Sequence, residues 1–170
     1  MACLFSAGIT RDCGYNFGGL QKVYIANKSE VTGITSDAVT NQITGITMAS
    51  GATFYEFEFE PETGQKLEEL QAGNVSKYVL QTLNMQLANI NQVKSDVLED
   101  LALSDCVVIM QEQDDLYWLF GQLGRGLKAT TLSIDSGTAD ADNAVATVAL
   151  AGGNRGYSKT VDSTIIAGLL

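Results

Sequence analysis

Glu56, Glu58 and Glu60 alternate with Tyr55, Phe57 and Phe59, and the run stops at Pro61. On a β-strand, side chains two apart share a face and stand roughly 6.6–7 Å apart. Inverting glycosidases hold a water between two carboxylates at such a separation. Three acids in a row on one strand more often form a solvated face, because an unpaired buried carboxylate is costly. Asp135-Ser136-Gly137-Thr138-Ala139-Asp140-Ala141-Asp142 offers oxygen ligands to a hard cation such as calcium. It lacks the EF-hand spacing and the terminal bidentate glutamate, so a solvated turn is the simpler reading. Gly121-x-x-Gly124-Arg125-Gly126 has only the outline of a phosphate loop. A P-loop needs Gly-Lys-Ser/Thr opening a helix, whereas a strand is expected here after Gly126. Trp118, with Tyr117 and Phe120, could stack on a base or a sugar. No Lys or Arg stands beside it in sequence to hold phosphates, so a core or interface aromatic is the plainer assignment.

The remaining composition weakens each catalytic option. The chain has 170 residues and no histidine, the usual acid–base group and metal ligand near neutral pH. Its cysteines, Cys3, Cys13 and Cys106, are odd in number and widely spaced, which is neither a disulfide framework nor a zinc pattern. Cys106 opens the apolar run Cys106-Val107-Val108-Ile109-Met110 and reads as a small core residue. A Cys3–Cys13 bridge is possible in principle, but reduced thiols and a cytosolic origin are the expectation. No catalytic residue, metal site or cofactor is therefore expected. With 20 Asp and Glu against 10 Lys and Arg, the net charge is −10. Such a surface repels phosphate, although nucleic acid could slide past it without sticking. No signal peptide is evident, and no stretch approaches the ~18 apolar residues of a bilayer span.

The elements that must position these groups are mostly strands. The Phe54 to Glu60 alternation predicts a strand with Tyr55, Phe57 and Phe59 buried and the glutamates outside. Further strands are expected at 22–26, 65–71, 75–87, 106–111, 116–120, 127–134 and 143–150. Two copies of Thr-Gly-Ile-Thr, at 32–35 and 44–47, suggest short strands that face each other. Residues 106–120 read as a hairpin turning at Gln113-Asp114-Asp115. Along 75–87, Val79, Leu83, Met85 and Leu87 share one face, and Thr82, Asn84 and Gln86 the other. Over 89–103 the period becomes helical, with Ile90, Val93, Val97, Leu98 and Leu101 forming a stripe that Asn89 or Asn91 would cap. The expected fold is one mainly β domain over 1–170. It is an antiparallel β-sandwich or barrel of about eight or nine strands with one flanking α-helix. An N-terminal arm, 1–19, and a C-terminal tail, 157–170, extend from it.

The ends are unusual. Leu4, Phe5 and Phe17 in the arm, and Ile165, Ile166, Leu169 and Leu170 in the tail, are apolar groups expected to need a partner surface. The glycine-rich opening before Lys22-Val23-Tyr24-Ile25, the segment 47–59, the strand-then-helix block 78–103 and Asp115-Leu116-Tyr117-Trp118-Leu119-Phe120-Gly121 resemble, in order, the tail-tube proteins of tailed bacteriophages. The resemblance implies a virion structural protein assembled in the host cytoplasm. It implies homo-oligomeric rings, commonly hexamers, that stack into a tube and contact other virion proteins. The lumen would be acidic, with transient, non-specific passage of DNA during ejection and Glu56, Glu58 and Glu60 as lining groups. The alternatives are another ring or decoration component (tail hub, head–tail connector, auxiliary capsid protein) or a carbohydrate-binding β-sandwich using Trp118 and Tyr117.

Overall fold

The computed structural model describes residues 7–11, 13–14, 17–73, 76–138 and 144–170. Among the described residues eleven strands form two sheets, so the chain is mainly β and carries more strands than the eight or nine expected. The first sheet has the order β2 (Val31–Ser36), β3 (Ile43–Met48), β11 (Lys159–Val161), β8 (Tyr117–Phe120), β7 (Cys106–Glu112), β1 (Leu20–Asn27), β4 (Tyr55–Glu56). The second has the order β5 (Gln65–Ala72), β6 (Lys77–Ala88), β10 (Val145–Asn154), β9 (Lys128–Asp135).

Alternation decides which residues meet between the sheets. Leu83, Met85 and Leu87 of β6 and Ala146, Val148 and Leu150 of β10 point inward. They meet Val23 and Ile25 of β1 and Cys106, Val108 and Met110 of β7. Full burial of one such aliphatic side chain contributes roughly 1.5–3 kcal/mol. The other face of β1, β7 and β8 is also buried: Tyr24, Ala26, Val107, Ile109 and Leu119 form a second core. Burial on both faces is why Cys106 to Met110 is continuously apolar rather than alternating. The tail covers this second core. Helix α2 (Ser163–Ile166), capped by the Asp162 carboxylate accepting the Thr164 N–H at 2.9 Å, delivers Ile166, and Leu169 follows it.

The Thr-Gly-Ile-Thr copies do face each other, as β2 and β3, with Ile34 opposite Ile46. The 106–120 hairpin forms with Val108 opposite Phe120. Helix α1 (Gln92–Leu103) starts three residues later than expected because Asn89 is left-handed, at φ 53°. The Asn91 side chain then caps the helix by accepting the Lys94 N–H at 2.9 Å. Its stripe is only half used: Leu98 and Leu101 are buried, while Val93 and Val97 are exposed.

The Phe54 to Glu60 segment departs furthest from expectation. Only Tyr55–Glu56 pair as a strand, against Ile25 and Tyr24. The Phe57 N–H donates to Val23 O at 2.9 Å and the Glu60 N–H to Gln86 O at 2.8 Å. The backbone thus leaves the edge of the first sheet and crosses to the second. Phe57 and Phe59 pack on the inter-sheet core and Phe54 on the second core, but Tyr55 is 60% exposed. The alternation of covered aromatic and exposed carboxylate holds only over Phe57 to Phe59; the continuous ladder and the buried tyrosine do not form.

Candidate functional site

The three glutamates stand on this crossing segment and not on a long strand. Glu56 pairs with Lys22 at 3.3 Å, and that hydrogen bond is the main reason the Lys22 ammonium is held above its ordinary range. Glu58 is exposed and Glu60 half-buried. Behind them runs a groove of about 610 Å3 lined by Tyr55, Phe57, Leu87, Val93 and Val97, with Glu56, Glu58 and Asp100 also on its walls.

The aromatic platform is occupied. Trp118 donates its indole N–H to Glu112 at 2.6 Å, and Lys66 Nζ lies 3.9 Å from the ring centroid. Lys66 also pairs with Glu112 at 2.7 Å. Lys66 belongs to the second sheet and the other two to the first, so the group ties the sheets together. Tyr117 packs on the second core.

The glycine run is a loop between strands, as expected. Gly121 and Gly126 take φ of 82° and 94°, where a side chain would be strained. Beneath the loop, the Gly121 N–H donates to the buried Gln81 Oε1 at 3.0 Å, and Gln81 Nε2 donates to Glu68 at 2.9 Å. Glu68 also accepts from the Ser158 N–H and hydroxyl, both at 2.7 Å. This chain of bonds fixes the β8–β9 loop against the β10–β11 connection.

Of the acidic stretch, Asp140 and Asp142 lie outside the described residues; Asp135 accepts the Gly137 N–H at 2.9 Å. Among the described residues no three His, Cys, Asp or Glu side chains converge as a metal site, and no helix is long and apolar enough to cross a membrane.

The expected interface groups divide. Leu4 and Phe5 lie outside the described residues, as does Cys3. Phe17 is exposed, and Leu170 is half-exposed. Ile166 and Leu169 are instead buried in the chain's own second core, with Ile165 partly buried against it. Within the single chain, Ile166 and Leu169 are covered by its own sheet. The sequence shows an apolar tail but not the exposed apolar sheet face that receives it.

Cys13 is exposed and Cys106 buried. Burial, with a smaller contribution from the Asp105 carboxylate, pushes the Cys106 thiol from 9.0 up to about 11. Above pH 9 the unfolded chain releases a proton that the folded chain keeps, so stability falls as pH rises. The loss is absent below pH 9, grows to about pH 11 and reaches roughly 2–3 kcal/mol. Urea unfolding at pH 8 and pH 11 checks this against Cys106→Ala, which should show a shallower decline.

A surface the sequence only hinted at is the outer face of the second sheet. Leu80, Thr82, Asn84 and Gln86 of β6 lie between Glu69, Leu67 and Gln65 of β5 and Ala151, Ala149 and Thr147 of β10. Thr131, Ser133 and Asp135 of β9 continue the rows. The surface is mostly small and neutral, mixing polar side chains with Ala149, Ala151, Leu67 and Leu80, and has Glu69 and Asp135 as carboxylates. Its lysine, Lys128 at the start of β9, is paired with Asp105 at 3.2 Å.

No family model matches the chain, and comparison with curated proteins and with solved structures gave no match.

Proposed function

We propose that the chain is a self-assembling structural subunit of the phage tail-tube kind, forming rings that stack around a bore through which DNA passes. The observation that carries this reading is the outer face of β5, β6, β10 and β9. Its rows of Thr, Asn, Gln, Ser and Ala, interrupted by Leu67 and Leu80, carry carboxylates and one lysine that is already paired. Duplex DNA bears one negative charge per ~1.7 Å of axis, and Lys and Arg supply most of the affinity that retains it. A wall of this composition does not hold phosphate. In this reading the bore is lined by Gln65, Glu69, Thr82, Asn84, Gln86 and Thr147. Glu56, Glu58 and Glu60, on the crossing segment, are moved from the bore to an end of the subunit. A hub, connector or decoration role uses the same surfaces at lower or scattered copy number. The carbohydrate-binding reading is weaker, since Lys66 and Glu112 occupy the tryptophan it needs.

Negative-stain microscopy of the purified protein at high concentration tests the reading. Rings or tubes of regular diameter are expected. A monodisperse monomer at every concentration would sink it.

A further inference from the structure

Three cations converge where the second sheet ends. Lys77 opens β6, Arg125 stands in the β8–β9 loop and Arg155 follows β10; together with Tyr78, Leu123 and Asn154 they line a cleft of about 440 Å3. These are three of the ten Lys and Arg residues in a chain of net charge −10. Among the described residues the cleft lining contains no carboxylate. Among the described residues the ion pairs engage Lys22, Lys66 and Lys128, and no side-chain hydrogen bond or ion pair engages Lys77, Arg125 or Arg155. Like charges gathered without a counter-ion repel each other, so the cleft is poised for an anionic partner. Tyr78 and Leu123, both partly exposed, supply an apolar rim that would shield an ion pair from water.

The complementary group lies on the same molecule, at the far end of the same strand. The turn Glu58-Phe59-Glu60-Pro61-Glu62 is anchored to β6 at Gln86 through the Glu60 N–H. Gln86 lies nine strand steps from Lys77, roughly 30 Å. The turn is stiff. Pro61 fixes one φ, Glu62 is left-handed at φ 63°, and the Thr63 hydroxyl donates to Glu60 O at 2.6 Å. Glu58 and Glu62 are exposed, and their carboxylates bond to no described residue.

We propose that the Lys77–Arg125–Arg155 cleft receives the acidic turn 58–62 of a second copy of this chain, in a head-to-tail contact running along β6. It rests on the stacked-assembly reading and gives it a direction. Donor and acceptor surfaces are different patches, so the contact is heterologous and propagates rather than closing as a two-fold dimer. Arg125 and Arg155 can each hold a carboxylate through two parallel N–H···O bonds, which fixes orientation as well as charge. A nucleic-acid occupant fits less well. Three cations neutralise few phosphates, so they supply little of the affinity that retains a duplex.

The test uses two double charge reversals and their mixture. R125E/R155E makes the cleft acidic and E58R/E62R makes the turn basic. All four side chains are free at the surface, so unchanged circular dichroism and Tm are expected. Each variant alone should lose stacking, raising the concentration needed for assembly at least about tenfold, the change that ~1.4 kcal/mol produces. An equimolar mixture should recover it, because each cleft then meets a turn of opposite sign on the other variant. Variants that stack as the wild type does would overturn the cleft contact and leave the tube reading standing. Variants that give single, unstacked rings support both. A wild type that stays monomeric removes both. Binding of a DNA oligonucleotide by the wild type, lost in R125E/R155E with assembly unchanged, would overturn the proposal in favour of a nucleic-acid site.

Discussion

Replacing Ile166 and Leu169 together by alanine is expected to unfold much of the population at ambient temperature. Both side chains are buried in the second core, against a sheet face built from Tyr24, Val107, Ile109 and Leu119. A buried Ile or Leu truncated to Ala loses about 2–5 kcal/mol through lost transfer and the cavity left behind. The whole domain is expected to hold only about 5–15 kcal/mol. The two sites are neighbours, so the effects will not sum simply, but even one full loss removes much of the margin. Backbone contacts soften nothing: the Phe54 N–H to Leu169 O bond, 2.8 Å, survives in the variant yet cannot refill the space. Urea unfolding should show a lower midpoint for either single variant and a much lower one for the pair. The competing reading, a tail held in reserve for a neighbouring subunit, makes the opposite prediction. It requires a variant as stable as the wild type that fails only to assemble, and that result would remove Ile166 and Leu169 from the core assignment.

The same residues show where a sequence stops being legible. An apolar tail and an apolar strand were both plain in the amino acids. Their mutual contact was not, because β11 is three residues long and α2 four, too short for any period to register. Strand β7 was legible because burial on both faces removes alternation, leaving a run that few other elements produce. β6 was legible because its faces differ, and its polar row is now the proposed bore surface. Phe54 to Glu60 misled in an instructive way. Alternating side chains require extended backbone, not a ladder, and extended backbone also suits a segment that crosses between sheets. The basic cleft had no sequence signal at all: Lys77, Arg125 and Arg155 come from three separate stretches that only the sheet order brings together.

Gly152→Ala is the second change expected to be severe, and it probes the seat of that cleft. Gly152 lies opposite Gln81, on the inward-facing row of β10, where a side chain would be normal. The β8–β9 loop takes its place. A Cβ on Gly152 would fall 2.3 Å from Gly126 O and 3.1 Å from Leu127 Cδ2. The obstructing oxygen is backbone and cannot swing aside. Leu127 and Cys106 exchange N–H···O bonds of 2.8 Å in both directions, and Gly121 is tied to Gln81. Relief therefore requires moving the loop that carries Arg125, breaking part of this bonding, or bending β10. Overpacking of this kind typically costs about 1–3 kcal/mol, and an immovable backbone obstacle places it at the upper end. For a chain of this size that is a fall in Tm of about 6–12 °C. Two alanine controls calibrate the result. On Gly153 the added Cβ meets Tyr78 Cδ2 at 3.2 Å, part of a half-exposed side chain that can yield, so a smaller loss is expected. On Gly45 it meets only Thr35, at an ordinary 3.6 Å. There the change is expected to be neutral or mildly stabilising, since alanine restricts the unfolded chain more than glycine does. The expected order of stability is Gly45→Ala, then Gly153→Ala, then Gly152→Ala. A Gly152→Ala protein as stable as the wild type would mean the loop is not seated on β10, and the cleft would lose the rigid floor on which Arg125 is placed.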